Sequence, residues 1–491
     1  MVTKTWISLV KKTNSKFALV VTTAFLTLFV GGTAFNIFQG KFGQKLNAAE
    51  VEKEAKASGL TPLPDDLRLS IDRTFKQVGA DWPQTLDVGK KKVKIEYAFN
   101  PQLDAYIKKL LKSYRSDYAT VAVIDNETGE VLAAVGVEGK TNNIDNNLVL
   151  ASTHPSASLI KMVTAAELLQ NTKVTRETSF DFRGRSTTLF KYQLDESKSN
   201  RWDKSQTFET AFAKSNNVIF GKAAIQNISS EKLVRMAENF GFNQQFLPEF
   251  DFVQSHIGTA ADDYHLAELA SGFNDQTVIS PIHGAMMASI IANNGMMKSP
   301  KMITKLVDAS GETLWENNSI EKRVLSAETA RQMQEMMGMT IDGGTARKSF
   351  RKMNNGYKNA LDIGGKTGSI TGGKPFGKRD WFSAFAIPRD QERGKGISIS
   401  VMNVNVKRWH VKSTMLAKNI IEYYYNNVKP VPITMVKMPR MVSENKRRKA
   451  KVYKRSIASR PSKKKIVSGK KRSAIKKEIG KRNERKSNTT I

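Results

Sequence analysis

Ser158 and Lys161 lie three residues apart in "HPSASLIKMVTAAELL", residues 154–169. A serine is a weak nucleophile until a base takes its proton. Residues three apart on a helix share a face, so the Lys161 amine points the same way as the Ser158 hydroxyl. Leu159, Ile160, Met162 and Val163 flank that lysine. Apolar surroundings lower a lysine pKa toward the range in which it can act as a base. Read alone, the stretch favours a blander account, a capped core helix with one surface lysine. Ser156 has no lysine at the same offset and reads as a capping or loop residue, and His154 as a surface residue of the loop before the helix.

Two further stretches carry usable groups. "KSNNV" places the Ser215 hydroxyl two residues from the Asn217 amide, 57 residues after Ser158. The hydroxyl could relay a proton to a leaving amine, and the amide could bond a peptide backbone. Alone it reads as a helix N-cap. "GGKTGSI", with Lys366 151 residues beyond Ser215, puts Lys366, Thr367, Gly368 and Ser369 in a predicted strand. Lys366 and Thr367 could hold a carboxylate. Glycine inside a strand marks close approach of a backbone or ligand, though alone this is a strand with a hairpin turn.

The elements that must position these groups follow from pattern. "NPQLDAYIKKLLKSY" reads as an amphipathic helix capped by Asn100 with proline at its first position. "ATVAVIDNETGEVLAAVGV" is a hairpin signal, two apolar runs around Asn126-Glu127-Thr128-Gly129. Residues 206–300 are mostly helical by periodicity, and "SPIHGAMMASIIANNG" ends in a C-cap signal. "DIGGKTGSI", "DWFSAFAI" and "GISISVMNV" are three short β runs, and "STMLAKNIIEYYYNNV" closes the chain's body as a helix. The order predicts an α/β (α+β) fold: one antiparallel sheet built from both ends of the domain, with a helical insertion between.

The 491-residue chain carries a net charge of +32, and 17 of those charges fall in the last 51 residues, where 20 Lys/Arg face 3 Asp/Glu. Residues 17–38 carry no charge and follow a basic head, which predicts a transmembrane anchor, with a cleavable signal as the alternative; both readings put the body outside the cytoplasm. Residues 39–95 read as a linker with short helical pieces, although "KVKIEYAF" looks like a strand. From residue 429 the composition predicts a disordered basic tail. Outside the cytoplasm, anionic envelope polymers or lipid head groups suit that tail better than nucleic acid, and a solvated tail without a partner is the even alternative. The absence of cysteine excludes disulfides and a thiol nucleophile, and five scattered histidines show no metal-ligand spacing.

In order, "PSASLIK", "SNN" and "GGKTGS" are far more specific than any one of them. With the "VAVIDNETGEVLAAVG" hairpin and "DWFSAFAI", residues 96–428 resemble the penicillin-binding, serine-type D,D-transpeptidase family. The resemblance implies a five-stranded antiparallel sheet sandwiched by helices, with an all-helical subdomain. It implies that Ser158 is acylated by a D-alanyl-D-alanine stem peptide of peptidoglycan and that Lys161 takes its proton. Ser215, with Lys366, would protonate the departing D-alanine. Asn217 would bond the substrate amide and Thr367 its terminal carboxylate, beside Gly368. The backbone N–H groups of Ser158 and Ser369 would form the oxyanion hole. No cofactor or metal is implied. β-Lactam antibiotics would trap Ser158. No convincing E-x-x-L-N segment lies between Ser215 and Lys366, which argues against fast β-lactam hydrolysis. Residues 39–95 are too short for a glycosyltransferase domain, which leaves a separate glycosyltransferase as an expected partner. Two other readings of the function stay open, a D,D-carboxypeptidase and a non-catalytic β-lactam sensor or scaffold.

Overall fold

Apolar residues in strands Tyr118–Asp125 and Val131–Glu138 are buried on both faces, and their alternation sorts them into two cores. Val121, Val123, Ala133 and Val135 face one core, and Ala122, Ile124 and Ala134 the other. Successive side chains of a strand point to opposite faces, which divides each run between the two cores. The computed structural model describes residues 63–432 apart from 77, 199–200, 252 and 407–408. The expected basic head, the membrane anchor at 17–38 and the tail from 433 lie outside the described residues. Among the described residues, no helix is long and apolar enough to cross a membrane.

The helices that carry the argument are α1 (Asp65–Phe75), α2 (Pro101–Tyr114), α3 (Lys161–Asn171), α4 (Asn217–Asn227), α5 (Asp263–Ser271), α6 (Pro281–Ala292), α7 (Ala327–Asp342) and α8 (Ser413–Tyr423). Strands β1 (Thr85–Val88), β2 (Lys91–Tyr97), β3 (Tyr118–Asp125), β4 (Val131–Glu138) and β5 (Asn143–Ile144) precede the helical insertion. After its first helices come β6 (Ile303–Val307), β7 (Thr313–Glu316), β8 (Leu361–Gly372), β9 (Gly377–Pro388) and β10 (Ile397–Asn405).

The main sheet runs β8-β9-β10-β3-β4-β5, antiparallel throughout. Its five long strands are those expected, and the sixth is a two-residue edge piece. Strands from the two ends of the domain meet at the β10–β3 pair, so β8 becomes an edge, open on one side. Helices α2 and α8 cover one face through Leu103, Ile107, Leu416 and Ile420. On the other face, α3 and α6 bury Met162, Val163, Ile282 and Met286. The Asn100 side chain accepts the Leu103 N–H at 2.9 Å, the expected cap.

Residues 63–95 depart from the linker reading. Helix α1 buries Leu67, Ile71 and Phe75, spaced by four, against Trp82, Leu86, Val93 and Ile95. Strand β2 pairs with both β1 and β6, forming a second sheet β1-β2-β6-β7. The reason is non-local: β6 lies some 200 residues downstream, so nothing near β2 announces its partner. Glycines in β8 give a second departure. A Cβ at Gly364 would lie 2.4 Å from Phe385 Cζ, and one at Gly365 would lie 2.5 Å from Phe382 Cζ. They admit rings of the neighbouring strand rather than a ligand.

Candidate active site

Ser158 sits in a 3-10 turn, Ala157–Ile160, that runs directly into α3, so Lys161 is the first residue of the α-helix proper. The turn is built under constraint. Ala157 has φ of +47°, a region that costs a non-glycine residue energy. Gly272, at φ +67°, lies against it: a Cβ there would come within 1.9 Å of the Ala157 carbonyl oxygen. Only glycine fits at that approach.

Lys161 is fully buried. Its Nζ lies 2.9 Å from Ser158 Oγ and 2.8 Å from Asn217 Oδ1, and also meets the Ser271 carbonyl oxygen. Burial, and after it the charge of Lys366, hold this amine well below the usual lysine range. A neutral amine has two N–H bonds and one lone pair. As a neutral amine, Lys161 would give its two N–H bonds to Asn217 Oδ1 and the Ser271 carbonyl and turn its lone pair to the Ser158 hydroxyl proton. The face of Phe220 lies 5.4 Å away.

Ser215 follows a six-residue helix, Phe208–Ala213, and has φ of +56°. The N-cap reading holds for its neighbour: Asn216 Oδ1 accepts the Ile219 N–H at 3.2 Å and starts α4. Ser215 is thereby left in the turn, where its Oγ accepts from Lys366 Nζ at 2.9 Å. Lys366 also donates to the Thr367 carbonyl at 2.9 Å and is fully buried beside Phe212. Burial lowers its pKa to about 7. Thr367 Oγ1 lies 2.6 Å from Thr345 Oγ1. A Cβ at Gly368 would lie 3.3 Å from the Ser156 carbonyl oxygen, so β8 passes close to the nucleophile's turn, with Ser369 exposed one residue on.

The structure therefore brings Ser158, Lys161 and Asn217 into one cluster, and Ser215, Lys366 and Thr367 into a second. The Lys366 charge felt at Lys161 couples them. Asn217 does more than face a substrate: its Oδ1 holds Lys161, and its Nδ2 donates to the Thr187 carbonyl at 3.1 Å.

His154 corrects the surface reading. It is buried, its Nε2 bonds the Leu148 carbonyl oxygen at 3.1 Å, and Arg379 donates to its Nδ1 at 3.1 Å. Burial, then the Arg379 charge, lower its pKa to about 3, so it stays neutral. Arg379, also buried, donates to the Gly372 and Pro375 carbonyls, and Trp381 Nε1 donates to the Pro155 carbonyl at 2.9 Å. These bonds tie the β8–β9 hairpin to the segment that leads into Ser158.

Sequence reasoning missed Ser271, Gly272, Thr345, Phe212 and Phe220. Ser271-Gly272 carried a C-cap signal only, and Thr345 a glycine pair before it, neither of which points at a site. Among the described residues, no group of three or more His, Asp or Glu side chains could hold a metal ion.

A family model described as the penicillin binding protein transpeptidase domain matches residues 119–422, more than half of the chain. The chain belongs to the penicillin-binding protein transpeptidase family. Penicillin-binding protein 4 of Bacillus subtilis is 25% identical over 286 residues, covering 57% of this chain and 41% of that protein. Stage V sporulation protein D of the same organism is 24% identical over 233 residues, covering 46% of this chain and 34% of the relative. The matches thus span less than half the length of these relatives. Among solved structures, apo penicillin-binding protein 3 of Mycobacterium tuberculosis superposes with a TM-score of 0.55 at 19% identity, over 70% of this chain and 83% of the other. That similarity establishes a shared fold.

Proposed function

We propose that the protein is a D,D-transpeptidase that crosslinks peptidoglycan stem peptides through a Ser158 acyl-enzyme, anchored by residues 17–38 with its body outside the cytoplasm. One observation carries the reading: the amine of a fully buried lysine, which also meets Asn217 Oδ1 and the Ser271 carbonyl, lies 2.9 Å from Ser158 Oγ.

In the proposed sequence, Ser158 Oγ attacks the carbonyl of the penultimate D-alanine while its proton passes to Lys161 Nζ. The backbone N–H groups of Ser158 and Ser369 hold the developing oxyanion, and each such donor is worth a few kcal/mol. Collapse breaks the peptide bond. The departing D-alanine nitrogen takes a proton from the Ser215 hydroxyl, which is resupplied by Lys366. Thr367, with Thr345, receives the terminal carboxylate. An amine of a neighbouring stem peptide then attacks the ester and gives the crosslink. Penicillin-binding protein A of Mycobacterium tuberculosis, of similar fold, has been solved as a ceftriaxone acyl-enzyme complex. That supports extending β-lactam acylation to Ser158.

Labelled penicillin should modify the wild-type chain and leave Ser158→Ala unlabelled. Equal labelling of both would refute the assignment. Mass analysis after incubation with disaccharide-pentapeptides separates the reactions: dimers mark crosslinking, tetrapeptide monomers mark carboxypeptidase trimming, and labelling without either product marks a sensor.

A further inference from the structure

On the sheet face opposite the Ser158 helix, α2 and α8 enclose an open cleft of about 360 Å³. The helix α8 ends in a π-helical turn, Tyr424–Val428. Such turns are rare and cluster at functional sites. This one carries Asn426 and Asn427 onto the cleft's rim.

Three of the cleft's four amides, those of Asn354, Asn426 and Asn427, are each held at one end and free at the other. Tyr357 donates to Asn426 Oδ1 at 3.2 Å, which leaves the Asn426 NH₂ free. Asn427 Nδ2 donates to the Tyr423 carbonyl at 3.0 Å, which leaves its oxygen. Asn354 Oδ1 accepts the Gly356 N–H at 2.8 Å, which leaves its NH₂. Asn419 lines the cleft with no hydrogen bond among the described residues, and the same holds for the Tyr106 and Tyr423 hydroxyls.

Those two tyrosines stack with ring centroids 3.7 Å apart, which fixes their orientation. The single charged group in the lining, Glu422, is paired with Lys418 at 2.6 Å and accepts the Asn354 N–H at 3.0 Å. A ligand matched to the cleft is uncharged, offers donors and acceptors in alternation, and lies across a shallow, prearranged surface.

We infer that this cleft is a saccharide-binding site, taking an uncharged oligosaccharide whose hydroxyl or acetamido groups engage the free ends of these amides. The inference does not depend on the acylation chemistry, since the cleft and Ser158 lie on opposite faces of the sheet. Isothermal titration of the full chain with an N-acetylglucosamine tetramer and, separately, a maltose-type tetramer tests it. Binding of either supports the site, and the pair distinguishes acetamido from plain hydroxyl recognition. Asn426→Ala should weaken that binding roughly tenfold, the worth of one lost hydrogen bond. Tyr423→Phe, which keeps the stack and removes the hydroxyl, should weaken it by a similar factor. Penicillin labelling of both variants should match wild type, which shows that they fold. Ser158→Ala should bind the sugar as wild type does, so a failure of the transpeptidase reading leaves this result standing. Absence of binding by both sugars, or binding unchanged in both cleft variants, would overturn the inference.

Discussion

Two buried lysines in one site cannot both stay protonated cheaply, and their environments divide the roles. Burial and the Lys366 charge lower Lys161, which suits it to the base of the proposed reaction. Lys366, lowered to about 7 by burial, would be the acid behind Ser215 in that reaction. Acylation should therefore rise with pH as Lys161 becomes neutral and fall above about pH 7 as Lys366 loses its proton. Stopped-flow acylation by a chromogenic β-lactam across pH measures this. Lys366→Arg should slow acylation overall and move the falling limb to higher pH, because a guanidinium holds its proton. A limb that stays in place would assign it to another group.

At the scale of elements, the site is three backbone pieces held in register: the Ala157–Ile160 turn, the Ser215 turn and the edge strand β8. Two of these turns contain a non-glycine residue at positive φ, Ala157 and Ser215. Such strain persists only where the surroundings over-determine it. Gly272 supplies that packing beneath Ala157. Gly272→Ala should cost roughly 1–3 kcal/mol of stability. It should also slow acylation, because the Ala157 carbonyl has to move and Ser158 moves with it. Thermal unfolding and acylation rates on the same preparation check both effects. A lowered midpoint with an unchanged rate would uncouple the glycine from the nucleophile.

Across the whole molecule, the buried Glu249 joins the helical insertion to the second sheet. Its Oε1 accepts the Met302 and Ile303 N–H groups at 2.7 and 3.2 Å, and its Oε2 accepts from Asn317 at 3.2 Å. Burial raises its pKa to about 7 from an ordinary 4.5, although these hydrogen bonds pull it down. The folded state therefore holds the proton through a range in which the unfolded chain has lost it. Stability should fall as pH rises from about 4.5 to about 7, by on the order of 3 kcal/mol. Denaturant titrations of wild type should show that slope, and Glu249→Gln should flatten it. Deleting residues 441–491 should leave penicillin labelling intact and reduce retention on anionic wall polymer. Equal retention would remove the tail as a polymer-binding segment.

The Ser158–Lys161 contact was legible in the sequence because S-x-x-K is a local spacing, and helical geometry turns local spacing into contact. The two-sided hairpin and the Asn100 cap were legible for the same reason. The reversal of odds for Ser158 came from order along the chain, three weak motifs in sequence. Only the tertiary structure decided what each motif touches. It set Lys161 between Asn217, 56 residues away, and Ser271, 110 away. It moved His154 from the expected surface to the interior, against an arginine 225 residues downstream. It also took residues 63–95 out of a linker, because β2 pairs with a strand about 200 positions on. Spacing along the chain determines which side chains share a face. What neutralises, orients or buries them is a long-range contact, and no local pattern encodes it.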